Sequence, residues 1–580
     1  MRTEWLLAAS VGAAGVVCLG ADEAQACGGT FCDSALPGQQ SVDQTGETIL
    51  FALDGDFVEA HVQIEYDGGD ATQFAWIVPL PQVPEIEVGS WRLVQNVLDA
   101  TVPVYGFQEG EVCRDAPPGG GGGGFLESPD GGAGGPPSVV AQDVVGAFEY
   151  VVLQGGTAAS LMAWLEDNDY VGVPEAPEIF DEYITEGHVF VAFKLRHGAH
   201  VEDIHPVVIR YPGDEPCIPI RLTRVAARED MDIRAIFLGD VRVMPINYKH
   251  VLLNRVRLDW VNRGANYGEL VSMAMDEAGG RAFLTEYAGT SRSVATDNLA
   301  TDHLDASVFG DLHPVQVVDT LTGWGLMQCF ELSCSYAHEL VPSLLHEFLP
   351  VPAGMEDHTF YGCLSCNAPI IDYDTWDGSA FSQAFRERIV DPLDHARELL
   401  EMWPYVTRLY TRISPHEMLS DPMFGETPNL PDVAHRHGAE RNDDCCRVTM
   451  RLPGGREVLM PTRSTWPQLP AEMPWAERIE EFQPVGPPVT MVDNTALIDT
   501  LLAAHNAQEG CSEDDTDGWD DGGRGSRGDG ADGDSDGHGT SGGSGGLDGG
   551  SGCGCRSLPA REHAPLLLLA VAAVARRRRS

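Results

Sequence analysis

Cys363-Leu364-Ser365-Cys366 is the spacing in this chain with the widest chemical options. A Cys-x-x-Cys at the start of a helix, just after a strand, can carry redox work because the helix end favours a thiolate. Here Phe360-Tyr361-Gly362 is only weakly strand-like, and Pro369 follows too soon for a long helix. With Cys329 and Cys334 the pair makes a C-x4-C…C-x2-C set, which has zinc-ligand residue types at a loose spacing. In an oxidising compartment the same residues form structural disulfides, and that reading is preferred. Adjacent Cys445 and Cys446 must take different partners. The disulfide candidates are Cys27, Cys32, Cys217, Cys329, Cys334, Cys363, Cys366, Cys445 and Cys446, with Cys27–Cys32 a candidate local bridge. Setting aside Cys18 and the tail pair leaves 11 body cysteines, an odd number, so one is free, modified or paired outside the set.

Other tempting patterns lack a required part. His338-Glu339 and His346-Glu347 are not His-Glu-x-x-His, and Pro342 stands between them. Asp532–Gly537 begins like a calcium loop, but Gly543 stands where the bidentate Glu belongs. Arg527-Gly528-Asp529 is cheap in the same tract. There is no phosphate-binding glycine loop, no Gly-x-Ser-x-Gly elbow and no basic-aromatic surface. No catalytic residue, metal ligand or cofactor is assigned, and enzyme activity stays undecided, with a non-enzymatic role preferred.

Charge narrows the partners. The chain carries 88 acidic against 37 basic residues, a formal charge of −51. Nucleic acid and anionic lipid would be repelled, so neither is an expected partner of the body. At 580 residues two or three domains are expected.

Both ends read as sorting segments. Arg2, the apolar run Leu6–Leu19 and Ala24-Gln25-Ala26 have the order of a secretory signal cleaved between Ala26 and Cys27 by signal peptidase. At the other end, Pro565–Ala575 is apolar and is followed by four arginines, Arg576–Arg579. As a helix that run spans about 16 Å, short of the roughly 30 Å hydrocarbon core. Cys553-Gly554-Cys555-Arg556 precedes it. The cysteine motif, apolar run and arginine cluster resemble the myxobacterial C-terminal sorting signal (MYXO-CTERM). That resemblance implies a sorting protease that removes the tail, and attachment to the membrane through the region of Cys553 and Cys555. The expected location is the cell surface or outer membrane of a Gram-negative bacterium.

The elements between these ends are mixed. Val58, Ala60, Val62 and Ile64 alternate with Glu59, His61 and Gln63, which predicts a half-buried strand. Phe74–Val78 is the next strand, and Pro79, Pro81 and Pro84 confine the segment after it to an edge. Ser90 is placed to cap a helix with Trp91, Val94 and Leu98 on one face. Helices are predicted at 158–166, 176–186 and 267–278, the last stopped by Gly279-Gly280. Strands are predicted at 188–195, 218–225, 233–238 and 241–244. Residues 382–403 read as helical with a break at Pro392. Residues 448–460 read as a hairpin through Pro453-Gly454-Gly455. Asn494 caps a last helix whose apolar face holds Leu497, Ile498, Leu501 and Leu502.

Several motifs along this stretch carry a second resemblance. Cys27-Gly28-Gly29-Thr30-Phe31-Cys32, Phe74–Pro81, Trp164-Leu165-Glu166, Pro216-Cys217-Ile218-Pro219, Asn247-Tyr248 and Phe283-Leu284-Thr285-Glu286-Tyr287-Ala288 are similar to the bacterial family known as domain of unknown function 2330. The resemblance spans about 27–295. It implies an exported protein and transfers no catalytic residue.

The expected fold is α+β: a sandwich-like antiparallel sheet with helices over 27–295 and a glycine-rich loop at 117–137, then a mixed region over 296–505. A Gly/Ser/Asp linker at 506–551 and the sorting tail at 552–580 complete it. The functional expectation is an exported, surface-anchored binding or structural protein of unknown ligand. The alternatives are a surface hydrolase, a thiol oxidoreductase or a calcium-dependent adhesin.

Overall fold

The computed structural model describes residues 43–53, 55–67, 75–112, 138–168, 176–195, 204–213, 216–225, 227–330, 333–443, 447–483 and 487–508. The signal segment with Ala26, Cys27 and Cys32, the loop 117–137, Cys445, Cys446, the linker, and the tail with Cys553 and Cys555 lie outside them.

The alternating residues build the strand they predict. Phe57–Asp67 pairs antiparallel with Asp43–Leu53, so Val58, Ala60 and Val62 share one face while Glu59 and His61 share the other. These strands belong to a sheet of ten. Its order is Val489–Asp493, Ala476–Glu481, Lys249–Leu253, Ala282–Thr290, Tyr405–Ile413, Ala227–Gly239, Asp43–Leu53, Phe57–Asp67, Val207–Pro212 and Glu85–Val88. Two of its pairs are parallel, Asp43–Leu53 with Ala227–Gly239 and Lys249–Leu253 with Ala282–Thr290. The others are antiparallel.

Each face of this sheet is covered. On one, Ile49, Phe51, Val58 and Phe237 meet Trp76, Val78, Phe148 and Phe193 of a four-stranded sheet, which makes the sandwich. Within that second sheet Ala75–Leu80 is an edge strand, the place where Pro79 costs no ladder bond. Helices Ala158–Asp167 and Ala176–Glu186 pack on its outer side through Leu161, Leu165, Ile179 and Phe180. On the opposite face of the large sheet, Leu50, Ala52, Ile236 and Leu238 meet a helical layer that includes Leu344, Phe381, Leu393 and Leu399. Helix Trp91–Thr101 joins this layer, and Ser90 Oγ accepts from the Leu93 amide at 3.3 Å as its cap. A further four-stranded sheet holds Val104–Val112, Arg436–Asp443, Val448–Arg451 and Glu457–Met460. Its hairpin turns through Gly454 and Gly455 at φ 98° and 92°, a region that a side chain would disfavour.

The architecture is α+β, as expected, but three details differ. The boundary at 295 does not divide two bodies. Tyr405–Ile413 lies hydrogen-bonded between Ala227–Gly239 and Ala282–Thr290, and the described residues on both sides of 295 fall in one compact unit. Local pattern marks a strand, whereas its neighbours are chosen by long-range register. Residues 218–225 are not a strand: after Pro219 the chain makes the short helix Ile220–Thr223, since proline is suited to a helix start and not to a ladder. In the last helix, Thr495–Gln508, Ile498 and Leu502 are buried but Leu497 is 47% exposed. One residue of helix is a 100° turn, which carries Leu497 off that face. Pro392 does mark a break: helix Gly378–Phe385 passes through a π turn at Arg386–Val390 into Asp391–Met402, with the proline in its first turn.

Candidate functional site

A cavity of about 790 Å3 opens between the large sheet and the sheet that carries Tyr105 and His437. Its floor is made by Lys249–Leu253, Ala282–Thr290 and Ala476–Glu481, and helix Tyr267–Glu277 contributes Tyr267. His250 stands directly across from Glu480 in the antiparallel pair. Its Nδ1 lies 3.9 Å from Glu480 Oε2, beyond hydrogen-bond reach, while its Nε2 lies 2.9 Å from Thr285 Oγ1. Arg242 donates to the same Oγ1 at 2.8 Å and to the Pro431 carbonyl at 2.8 Å. Because the guanidinium can only donate, the Thr285 hydroxyl proton is left for His250 Nε2, a better acceptor than the Met244 sulfur 4.0 Å away. That sets the His250 proton on Nδ1, facing Glu480. Burial holds the His250 imidazole below its usual range, so it is neutral at pH 7.

Positive charge in the cavity is unevenly compensated. Arg456 is held by both Glu477 oxygens at 2.9 and 2.8 Å, and Arg478 reaches Glu480 at 3.3 Å. Arg242 and Arg255 make no ion pair among the described residues. Glu480 and Asp432 lie near enough to act on Arg242 without pairing, and its buried Nε has no hydrogen-bond partner. Among the described residues, Arg255 Nη1 reaches His437 Nδ1, at 3.4 Å. Burial and the Arg255 charge push His437 down to about 4, so it is a neutral acceptor there. In the wall of the cavity, Glu286 accepts from Tyr267 Oη at 2.7 Å and from Arg408 Nε at 2.5 Å.

The predicted cysteines fall elsewhere. Cys329 and Cys334 form a disulfide across the hairpin Met327–Phe330/Ser333–Tyr336, and Cys363 and Cys366 form another at the start of the four-residue helix Leu364–Asn367. The four are therefore consumed as two bridges and do not form one zinc set. Cys217 is half-buried beside Met423 and belongs to neither of these two bridges. It lines a small space in the sandwich together with Glu47, Ile49 and Trp76. His346 pairs with Asp357 at 2.9 Å, and Pro342 sits in the first turn of helix Leu340–Phe348, so it does not break that helix. Neither His-Glu pair lines the cavity. Sequence reasoning missed His250, Arg242, Arg255 and Glu480. Thr285 and Glu286 stand inside a motif already singled out for its resemblance, the one signal that pointed here.

The comparisons agree with that motif series. The curated proteins and the solved structures contain no match. A bacterial family model, described as uncharacterised protein conserved in bacteria, matches residues 22–317, running some twenty residues past the expected end. That span is just over half of the 580 residues, and the chain belongs to the domain of unknown function 2330 family.

Proposed function

We propose that this is an exported, surface-displayed binding protein whose cavity takes a small anionic ligand. The observation that carries the reading is the pair Arg242 and Arg255, two guanidiniums that make no ion pair among the described residues and line a roughly 790 Å3 space in a chain of charge −51. Acidic surroundings would repel an anion unless such groups receive it, and a charge-assisted bond contributes about 1.5–3 kcal/mol. Calorimetric titration with citrate, phosphate and sulfate should give saturable binding to at least one. Arg255→Gln should weaken it roughly 10–100-fold with unchanged circular dichroism. No binding by any of the three, or equal binding by the variant, removes the proposal.

Export is supported by the order of the signal and tail motifs. An intact mass of the native surface form should begin at Cys27 and lack the arginine cluster. Replacing Cys553 and Cys555 together with Ala should leave the body folded but absent from the surface. Normal surface display of that double variant defeats the sorting reading.

A hydrolase remains as a second reading because Glu480, His250 and Thr285 stand in the order carboxylate, imidazole, hydroxyl. A fluorophosphonate probe would then label Thr285 in the natural protein and not in His250→Ala. Absence of label at Thr285 disposes of it.

A further inference from the structure

Glu59 and His61 are two residues apart on the face of Phe57–Asp67 that meets the helical layer, and helix Asp391–Met402 brings His395 onto them from 336 residues away. His61 Nε2 lies 2.8 Å and His395 Nε2 2.6 Å from the same oxygen, Glu59 Oε1. The two imidazoles stack at 5.9 Å with 16° between their planes. One donor atom from each residue lies within 4.8 Å of the other two. We propose that Glu59, His61 and His395 form a binding site for a divalent transition-metal ion of the zinc class.

The donor set fits that class. Two imidazoles and one carboxylate suit zinc, cobalt, nickel or iron, whereas magnesium and calcium prefer all-oxygen sites. Around a tetrahedral ion with bonds near 2.0–2.1 Å, ligand atoms stand about 3.3 Å apart. The separations of 2.6 and 2.8 Å from Glu59 Oε1 fall short of that value, and all three donor atoms lie within 4.8 Å of one another. A buried histidine kept for hydrogen bonding alone is expected to use both ring nitrogens. His61, with a side chain only 1% exposed, uses the one aimed at the cluster, and its Nδ1 has no partner. The His395 side chain is 34% exposed, so the fourth position faces solvent, as in three-ligand sites that keep an open place for water.

The test is a cobalt titration of the chelator-treated full chain, read by visible absorption. One equivalent of Co2+ should produce d–d bands that zinc abolishes and that excess magnesium or calcium leaves in place. His395→Ala should lose the bands and weaken Co2+ binding about 100-fold or more. His395→Gln keeps a hydrogen-bond donor for Glu59 but is a poor ligand. It should restore the wild-type unfolding midpoint without restoring the bands. Bands that persist in either variant place the ion elsewhere and overturn the site, as does a wild-type protein with no bands.

Discussion

Replacing Arg408 with Met is expected to cost about 3–5 kcal/mol of folding stability, the range for breaking a buried ion pair from one side. Arg408 lies in the middle strand of the large sheet, and its side chain is 5% exposed against 2% for Glu286. Its Nε donates to Glu286, and its Nη1 donates to the Leu98 carbonyl at 3.3 Å and Thr101 Oγ1 at 3.4 Å. Without the guanidinium, Glu286 keeps, among the described residues, the Tyr267 hydroxyl in the wall of the cavity. The double variant Arg408→Met/Glu286→Leu should recover a large part of the loss, because no uncompensated charge is left behind. Urea unfolding at a common m value distinguishes the cases. A double variant no more stable than the single one would mean that packing, and not charge, sets the cost.

The second large effect is a pH dependence carried by Glu47. This residue is 3% exposed between the sandwich layers, opposite Ile233 and Ile64, and its Oε2 has no partner. Burial pushes its carboxyl up from 4.5 to about 7. A raised folded pKa favours the protonated form, so its contribution is whole below about pH 4.5, falls as the pH climbs to about 7 and is gone above that. At 1.36 kcal/mol for each pH unit between those limits the loss is roughly 3 kcal/mol. Glu47→Gln should remove this slope: the variant gains on the natural protein by roughly that amount at pH 8 and by little at pH 4. Unfolding curves across the interval would show it. Parallel curves for the two proteins would mean that Glu47 ionises in contact with water.

How much of this was legible in the sequence depends on distance along the chain. Val58, Ala60 and Val62 announced a strand, Ser90 a cap, Gly279-Gly280 a helix stop and Pro392 a break, because each acts on its own neighbours. Gly279 and Gly280 do adopt φ 84° and 79°, which is why they end that helix. By contrast, 218–225 has a strand's composition, and only Pro219 argued otherwise. The sites were the least legible. His250 meets Glu480 through strand pairing, and His395 meets Glu59 across 336 residues. Nothing in the spacing of either pair encodes such a meeting. Where sequence did point to the cavity, at Thr285-Glu286, it did so through resemblance and not through chemistry.

The position of Tyr405–Ile413 also sets a timetable. Some 165 residues separate it from Gly239, the end of the strand it must join. At about 5–20 residues per second, a ribosome needs on the order of ten to thirty seconds to supply them. Through that interval Ala227–Gly239 and then Ala282–Thr290 each present an open ladder edge, the kind of surface that recruits strands from other chains. A fragment ending at residue 317 would keep both edges open for good, so it should aggregate where the longer chain does not. The same delay leaves the growing chain without its central strand until about 400 of the 580 residues have been made.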